Sequence, residues 1–466
     1  CRRTSSDPRA TAGRSTPTRS GTPSACAATR GQRLSTLLQP AIKIADRGFP
    51  VDQEFYDQTA LNAARFTQIP DTKKLFLPGG QPPAVGSTFR NPDLAETYRT
   101  LADRGVDWFY RGGLGREVAR TVTNPPVTPG TRTVRPGFMT AADLASYTAP
   151  FRPPTRVGYR GMDVYGMAPP SSGGSTVGEA LNILENVELS RKNPVQALHH
   201  YLEASKLAYA DRAAYVGDVN VPLRELLSEG YAKERSCLIS PGTALVAPVA
   251  AGNPDGSYGR CPKPAGAARP LGYEGPQTTN LVVSDTWGNV VAYTLTIEQF
   301  GGSGLTVPGR GFLLNNELTD FSFVPSPTDP NSLAPGKRPR SSMAPTILLR
   351  NGRPLLAVGS PGGSTIITTV LQILLNRLDL GMSLPAAVAA PRATQRNTAA
   401  TLAEQPFIDR YGPALTAKGQ KLELFTGPPP TIGAATGLEF LTRSLVQAVA
   451  EPQRRHGGTA LVVDPG

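Results

Sequence analysis

Histidine is nearly absent: His199, His200 and His456 are the three in 466 residues. A histidine-based metal site is therefore not expected, and neither a metal nor a cofactor is assigned. Cysteine is scarce, with Cys1, Cys26, Cys237 and Cys261, and their spacing fits no tight metal motif. Cys237 and Cys261 flank a Pro/Gly/Ala-rich stretch, where a disulfide and two free thiols are both open readings. No apolar run reaches the roughly 18 residues of a membrane span. The most apolar run, TIITTVLQILL, is interrupted by polar residues and reads as a partly buried helix. Residues 1–33 contain no Val, Ile, Leu, Met, Phe, Trp or Tyr, so they have nothing to bury and are expected to be disordered. They also lack the apolar centre of a signal peptide.

Charge is unevenly placed. The chain carries a net +12, and half of it comes from seven arginines against one aspartate in residues 1–33. The remainder is spread without a basic stripe, and no nucleic-acid-binding module accompanies it, so no nucleic-acid partner is expected. The nucleophile elbow G-x-S-x-G is missing. A P-loop fails at Gly336-Lys337, which is followed by Arg338.

From Leu34 the pattern is that of a folded chain. LSTLLQPAIKIADRGF predicts a helix stopped by Gly48, and PDLAETYRTLADRGVDWFYRG another helix with a following turn. Thr140 to Asp143 has a capping signature, TRVGYRGMDVYGMAPP is strand-like, and a helix follows Gly173-Gly174. A longer helix over Pro194–Val216 carries Leu198, Tyr201, Leu202, Ala204, Leu207 and Ala208 at helical spacing, which predicts a core-facing stripe. Residues 241–277 show no periodicity and read as an exposed loop. Beyond it, Asn351-Gly352 between TILLR and RPLLAVG signals a hairpin, and Gly362-Gly363 opens a helix at Ser364.

The informative stretch is GPQTTN at 275–280, followed by LVVSDTWGNVVAYTLTIEQF. Two β-rich runs flank a Gly-Asn hairpin signal, which puts Thr278 where a loop enters a strand. A hydroxyl belongs there if the bond before it is to be cut and the new amine used as a base.

Between about Leu37 and Pro465 the chain resembles the γ-glutamyltranspeptidase family of N-terminal-nucleophile hydrolases. The resemblance is carried, in order, by APPSSGGSTVGEALNILE, EASKLAYADRAAYVGD, QTTNLVVSDTWGN, FLLNNELTDFS, KRPRSSMAPTIL, GSPGGSTIITTVLQ and AVAEPQRRHGGTALVV. It implies an α+β fold, a four-layer αββα sandwich, and autocleavage at Gln277–Thr278. Residues 34–277 would then be the large-subunit part and 278–466 the small, catalytic subunit, the two staying associated. The expected activity is cleavage of γ-glutamyl amides such as glutathione through a threonine acyl-enzyme, with transfer to water or to an amino-acid or peptide amine. Secretion or a periplasmic location is implied by the family alone.

The chemistry explains the cut. A threonine hydroxyl is a poor nucleophile until a base takes its proton. A chain-terminal α-amine titrates at about 7.7–8.0 and supplies that base next to the hydroxyl. By resemblance, Thr296 hydrogen-bonds the nucleophile Thr278, and the backbone N–H groups of Gly362 and Gly363 hold the oxyanion. Glu317 and Asp320 match positions that hold the substrate α-ammonium, and Ser341 and Ser342 the pair that binds its α-carboxylate. Glu298 is a further substrate-site position, where many transpeptidases have Asn. Its Thr-Ile-Glu-Gln wording is nearer to the capsule poly-γ-glutamate depolymerase branch.

One departure concerns the region before LLQPAIKIADRGFPV. In the family it is ordered, glycine-rich and carries an arginine for the substrate α-carboxylate; here the Arg/Ser/Thr/Pro stretch stands in its place. The expectation is a truncated or misread start. Two alternatives follow: a related amidase such as a β-lactam acylase, and an inactive, uncut remnant.

Overall fold

The computed structural model describes residues 32–131, 134–259, 261, 275, 277–324, 326–427 and 431–463. The expectation of disorder for residues 1–33 therefore lies almost wholly outside the described residues, as does most of the stretch leading to Thr278.

Among the helices that open the described chain are α1 (Leu34–Arg47), α2 (Gln53–Phe66) and α3 (Pro92–Arg104), with a short helix over Pro70–Phe76 between the last two. Gly48 ends α1 at φ 86°, a conformation glycine adopts without a Cβ penalty. Asp52 and Asn91 cap α2 and α3 by accepting the N–H of Phe55 and Leu94. Ile42 and Ala45 of α1 pack on Ala95 of α3, forming a small satellite core. The capping box at Thr140 is present, with Asp143 reciprocating, and it opens a short helix over Ala141–Ser146.

The main sheet has six antiparallel strands. In chain order its members are β1 (Thr155–Tyr159) and β2 (Met162–Gly166); then, beyond the hairpin β3 (Thr279–Ser284) and β4 (Val290–Leu295), β5 (Thr346–Arg350), β6 (Arg353–Gly359), β7 (Thr436–Phe440) and β8 (Val446–Ala450). The spatial order is β8-β7-β6-β5-β2-β1. Asn351 and Gly352, both at positive φ, make the turn between β5 and β6 as their sequence predicts. The β3–β4 hairpin is a separate two-stranded sheet. It touches β6 and β7, whose edges are already paired on both sides, so it reaches them by stacking face to face. Asn280 fixes this stacking: its amide donates to Thr436 and accepts from Thr294, each at 2.7 Å. On the outer side of the hairpin Leu281, Val283, Val291, Tyr293 and Leu295 are exposed.

Helices α4 (Gly173–Glu185) and α6 (Thr365–Leu378) pack against the main sheet, with α5 (Pro194–Tyr215) behind them. The large core joins residues from both sides of position 278, including Leu181, Leu202, Leu356, Ile367 and Leu374. The expectation of a stripe on α5 needs correction. Every residue from Ala197 to Ala213 is buried, polar ones included, because α5 is packed on all sides. Lys206 pairs with Glu203 within the helix at 2.6 Å, and Asp211 with Arg235 of the Glu229–Ser236 helix at 2.9 Å. Cys237 and Cys261 form a disulfide, which settles the choice the sequence left open. Among the described residues no helix is long and apolar enough to cross a membrane, and no group of three or more His, Cys, Asp or Glu is placed to hold a metal ion.

Candidate active site

Thr278 stands one residue before β3, half-buried, joined to Gln277 by the bond at which the cut is expected. The carbonyl of that bond accepts a hydrogen bond from Thr296 Oγ1 at 2.7 Å. The Thr296 hydroxyl is itself oriented, because it accepts the Glu298 N–H at 2.9 Å and so directs its proton at Gln277. Thr296 follows the end of β4, whose last residue pairs with Thr279, so sheet register places the two threonines side by side. The Thr278 carbonyl in turn accepts from Arg455 Nη1 at 3.2 Å.

A small pocket opens on this bond. Gly275, Thr278, Thr296, Glu298, Glu317, Asp320, Ser341, Ser342, Met343, Gly363 and Ile366 line it. Its free space is about 10 Å³, room for about one water. Gly275, three residues before Thr278, forms part of its wall. Both Gly275 and Gln277 are buried, which corrects the expectation that this stretch is exposed up to the cut. Gly275 lies against the Glu298 carboxylate; a Cβ there would fall 1.9 Å from Oε1, so a side chain has no place.

Glu298 is 2% exposed and sits at φ 74°. Burial raises its pKa, opposed by hydrogen bonds from Thr319, Asn316 and the Gly275 N–H and by the Arg65 charge. Arg65 comes from α2 and donates to the carbonyls of Gly302 and Phe300, holding the glycine-rich turn beyond Glu298. Glu317 and Asp320 lie on a single helical turn, Glu317–Asp320. Burial, and after it the neighbouring Glu298 charge, pushes Glu317 up to about 7. Asn331 donates to the Asp320 carbonyl at 2.7 Å and fixes the turn.

Ser341 and Ser342 sit on the chain entering β5. Ser341 pairs with Ser171 across a bridge, and its carbonyl accepts both the N–H and the hydroxyl of Ser172. Gly362 and Gly363 precede α6 at φ 137° and 55°, Ser364 taking the cap position rather than starting the helix. Gly363 faces the pocket; Gly362, beside it in the chain, is not among the lining residues.

The structure thus brings Thr278, Thr296, Glu298, Glu317, Asp320, Ser341, Ser342 and Gly363 to one place, with Gln277 supplying the carbonyl. Sequence reasoning missed Arg455, Met343 and Ile366. Arg455 stands in QRRHGG, and its φ of 53°, followed by 59° at His456, marks a strained turn no local pattern announced. His456 ties that turn to α2, 3.0 Å from Asp57.

Residues 29–461 match the family described as gamma-glutamyltranspeptidase. The chain is 40% identical over 371 residues to a glutathione hydrolase proenzyme of Bacillus subtilis (strain 168), covering 77% of this chain and 60% of that protein. To the glutathione hydrolase proenzyme of Escherichia coli (strain K12) it is 36% identical over 409 residues, covering 84% and 66%. An acylase ACY 1 proenzyme of Pseudomonas sp. (strain SE83) is 35% identical over 394 residues, covering 84% and 65%. Among solved structures, a cephalosporin acylase from Bacillus halodurans superposes with TM-score 0.78 at 28% identity, covering 92% of this chain and 74% of its own. The chain spans about 60% of the length of the Bacillus subtilis relative. With α+β layers of the N-terminal-nucleophile hydrolase type, a matching family over most of its length and relatives up to 40% identical, this chain belongs to the γ-glutamyltranspeptidase family.

Proposed function

We propose that this protein is a γ-glutamyl hydrolase and transferase that matures by cutting itself between Gln277 and Thr278. The observation that carries the reading is the Thr296 hydroxyl hydrogen-bonded to the Gln277 carbonyl beside Thr278, in a pocket lined by carboxylates and serines. In maturation the Thr278 hydroxyl attacks the Gln277 carbonyl carbon, and Thr296 donates to the oxygen as it gains charge. The peptide C–N bond breaks, which frees the Thr278 amine and leaves Gln277 as an ester on the Thr278 hydroxyl; water then splits the ester into the Gln277 carboxylate and the free hydroxyl. Residues 1–277 and 278–466 then stay together. Contacts across the cut support this, among them Arg310 with Glu117 at 2.5 Å and Arg65 with the Phe300–Gly302 turn.

In the mature site the Thr278 amine takes the hydroxyl proton while Oγ attacks the γ-carbonyl of the donor. The Gly363 N–H at the pocket wall, with that of Gly362 beside it in the chain, is assigned to the developing oxyanion, and the leaving amine departs with the proton. Water, or an acceptor amine, then attacks the acyl-threonine. Glu317 and Asp320 hold the donor's α-ammonium, Ser341 and Ser342 its α-carboxylate, and Glu298 borders the site. The disulfide is of the kind that persists in oxidising compartments and supports export of the protein.

The likeness to acylases favours a second reading, an amidase acting on acyl-β-lactams on the same scaffold. The test is expression of the chain beside Thr278→Ala, with N-terminal sequencing of any smaller band. Donor assays follow with a γ-glutamyl anilide and a glutaryl cephalosporin. A fragment beginning at Thr278 with preference for the γ-glutamyl donor is expected. Preference for the cephalosporin selects the second reading. A single uncut band in both chains, with no turnover, defeats both and leaves the inactive remnant.

A further inference from the structure

Arg212 lies on α5, more than a hundred residues from the serines of the pocket, and is 1% exposed. Its Nε donates to Ser172 Oγ at 2.7 Å and its Nη2 to Ser342 Oγ at 2.8 Å. Ser172 passes the restraint on, its hydroxyl donating to the Ser341 carbonyl at 2.7 Å and its N–H to the same oxygen at 2.8 Å. The Arg212 carbonyl, with that of Val216, accepts from Arg340 Nη1 at 3.3 Å, so the residue just before the two serines is fixed from the same place. The guanidinium rests over the Tyr209 ring, 5.5 Å from its centroid. Arg212 therefore holds the Arg340-Ser341-Ser342 segment directly at Ser342 through its side chain and at Arg340 through its backbone carbonyl, and indirectly at Ser341 through Ser172.

The chemistry of this arrangement is directional. A guanidinium has only donors, so Ser342 Oγ must accept from it. A hydroxyl that spends a lone pair on a cation presents its proton to another acceptor, and Ser342 lines the pocket. Ser172 displays the same logic openly: it accepts from Arg212 and donates to Ser341. We propose that Arg212 is a positioning and specificity-determining residue, which holds Ser342 as a proton donor to a substrate carboxylate and places a fixed positive charge behind the anion-binding side of the pocket. The planar fork spans Ser172 and Ser342 at once, which a single ammonium point charge does not. The charge sits in a protein interior where salt screens it little. The proposal rests on the γ-glutamyl reading of the site.

The experiment compares two donors that differ only in the α-carboxylate, γ-glutamyl-p-nitroanilide and 4-aminobutyryl-p-nitroanilide. They are tested on the full chain and on Arg212→Gln, Arg212→Lys and Ser172→Ala. Each chain is first checked for the fragment beginning at Thr278, which reports a folded site. Arg212→Gln is expected to lower the kcat/KM ratio between the two donors by about ten- to a hundredfold, the range for a hydrogen bond to a charged group, mostly through KM. Arg212→Lys and Ser172→Ala lower it less. A ratio that stays within about twofold in the folded variants, or an equal fall for both donors, overturns the assignment. If Arg212→Gln yields no cut chain, Arg212→Lys and Ser172→Ala decide by the same ratio. A parent chain with no preference for the carboxylate-bearing donor overturns the reading of the site itself, which is distinct from a parent preference that the variants leave unmoved.

Discussion

Replacing Thr296 with valine keeps the shape of the side chain and removes one hydroxyl. That hydroxyl donates to the Gln277 carbonyl at 2.7 Å and is held in line by the Glu298 N–H. In the uncut chain the accepting oxygen is the atom on which negative charge develops when Thr278 attacks. Losing a preorganised donor of this kind lowers rates by about 10²–10³, or about 3–4 kcal/mol of barrier. The ground-state bond contributes less, about 0.5–1.5 kcal/mol, so most of the loss falls on the rate of cutting and little on folding. The assay follows the Thr278 fragment over time on denaturing gels, for Thr296→Val and Thr296→Ser, the serine restoring the donor. Thermal unfolding of Thr278→Ala with and without Thr296→Val separates stability from rate. A Thr296→Val chain that cuts within about threefold of the parent rate would refute the assigned oxyanion contact.

Three further outcomes follow from the site. Glu317, pushed up to about 7, is largely protonated below that pH, and a neutral carboxyl attracts the donor's α-ammonium weakly. KM for a γ-glutamyl donor is therefore expected to fall as pH rises from 6 to 8, and Glu317→Gln should raise KM and flatten that profile. Arg455→Met removes the contact to the Thr278 carbonyl and should slow cutting about tenfold while leaving the subunits associated, as read from gels and size-exclusion profiles. Cys237→Ser opens a cross-link between residues 24 apart and should lower stability by about 3 kcal/mol in denaturant titration, with the fragment pattern unchanged.

How much of this was legible depends on the range of the interactions. Thr278 at the mouth of a strand, the Asn351-Gly352 turn and the Thr140 capping box are local patterns, and the chain adopts them where they stand. The site residues came from motif resemblance, since nothing near Ser341 or Glu317 says that a threonine over twenty residues away will face them. The burial of α5 on every side was missed because its polar residues look like a solvent face until partners such as Arg235 arrive from elsewhere. Arg212 and Arg455 were missed for the same reason: an arginine's donors find acceptors wherever the fold brings them, and periodicity carries no record of it.

The tight fit of Gly275 against Glu298 has a consequence for anyone wishing to count active molecules. On the proposed reading, the uncut chain competes with its own donor: Gly275 is held against Glu298 at the pocket wall by the covalent chain, at an effective concentration no free ligand easily matches. Maturation must free that wall as well as expose an amine. A probe that acylates Thr278 would consequently tag only molecules that have both cut and released Gly275, and its stoichiometry would count the finished sites in a mixed population.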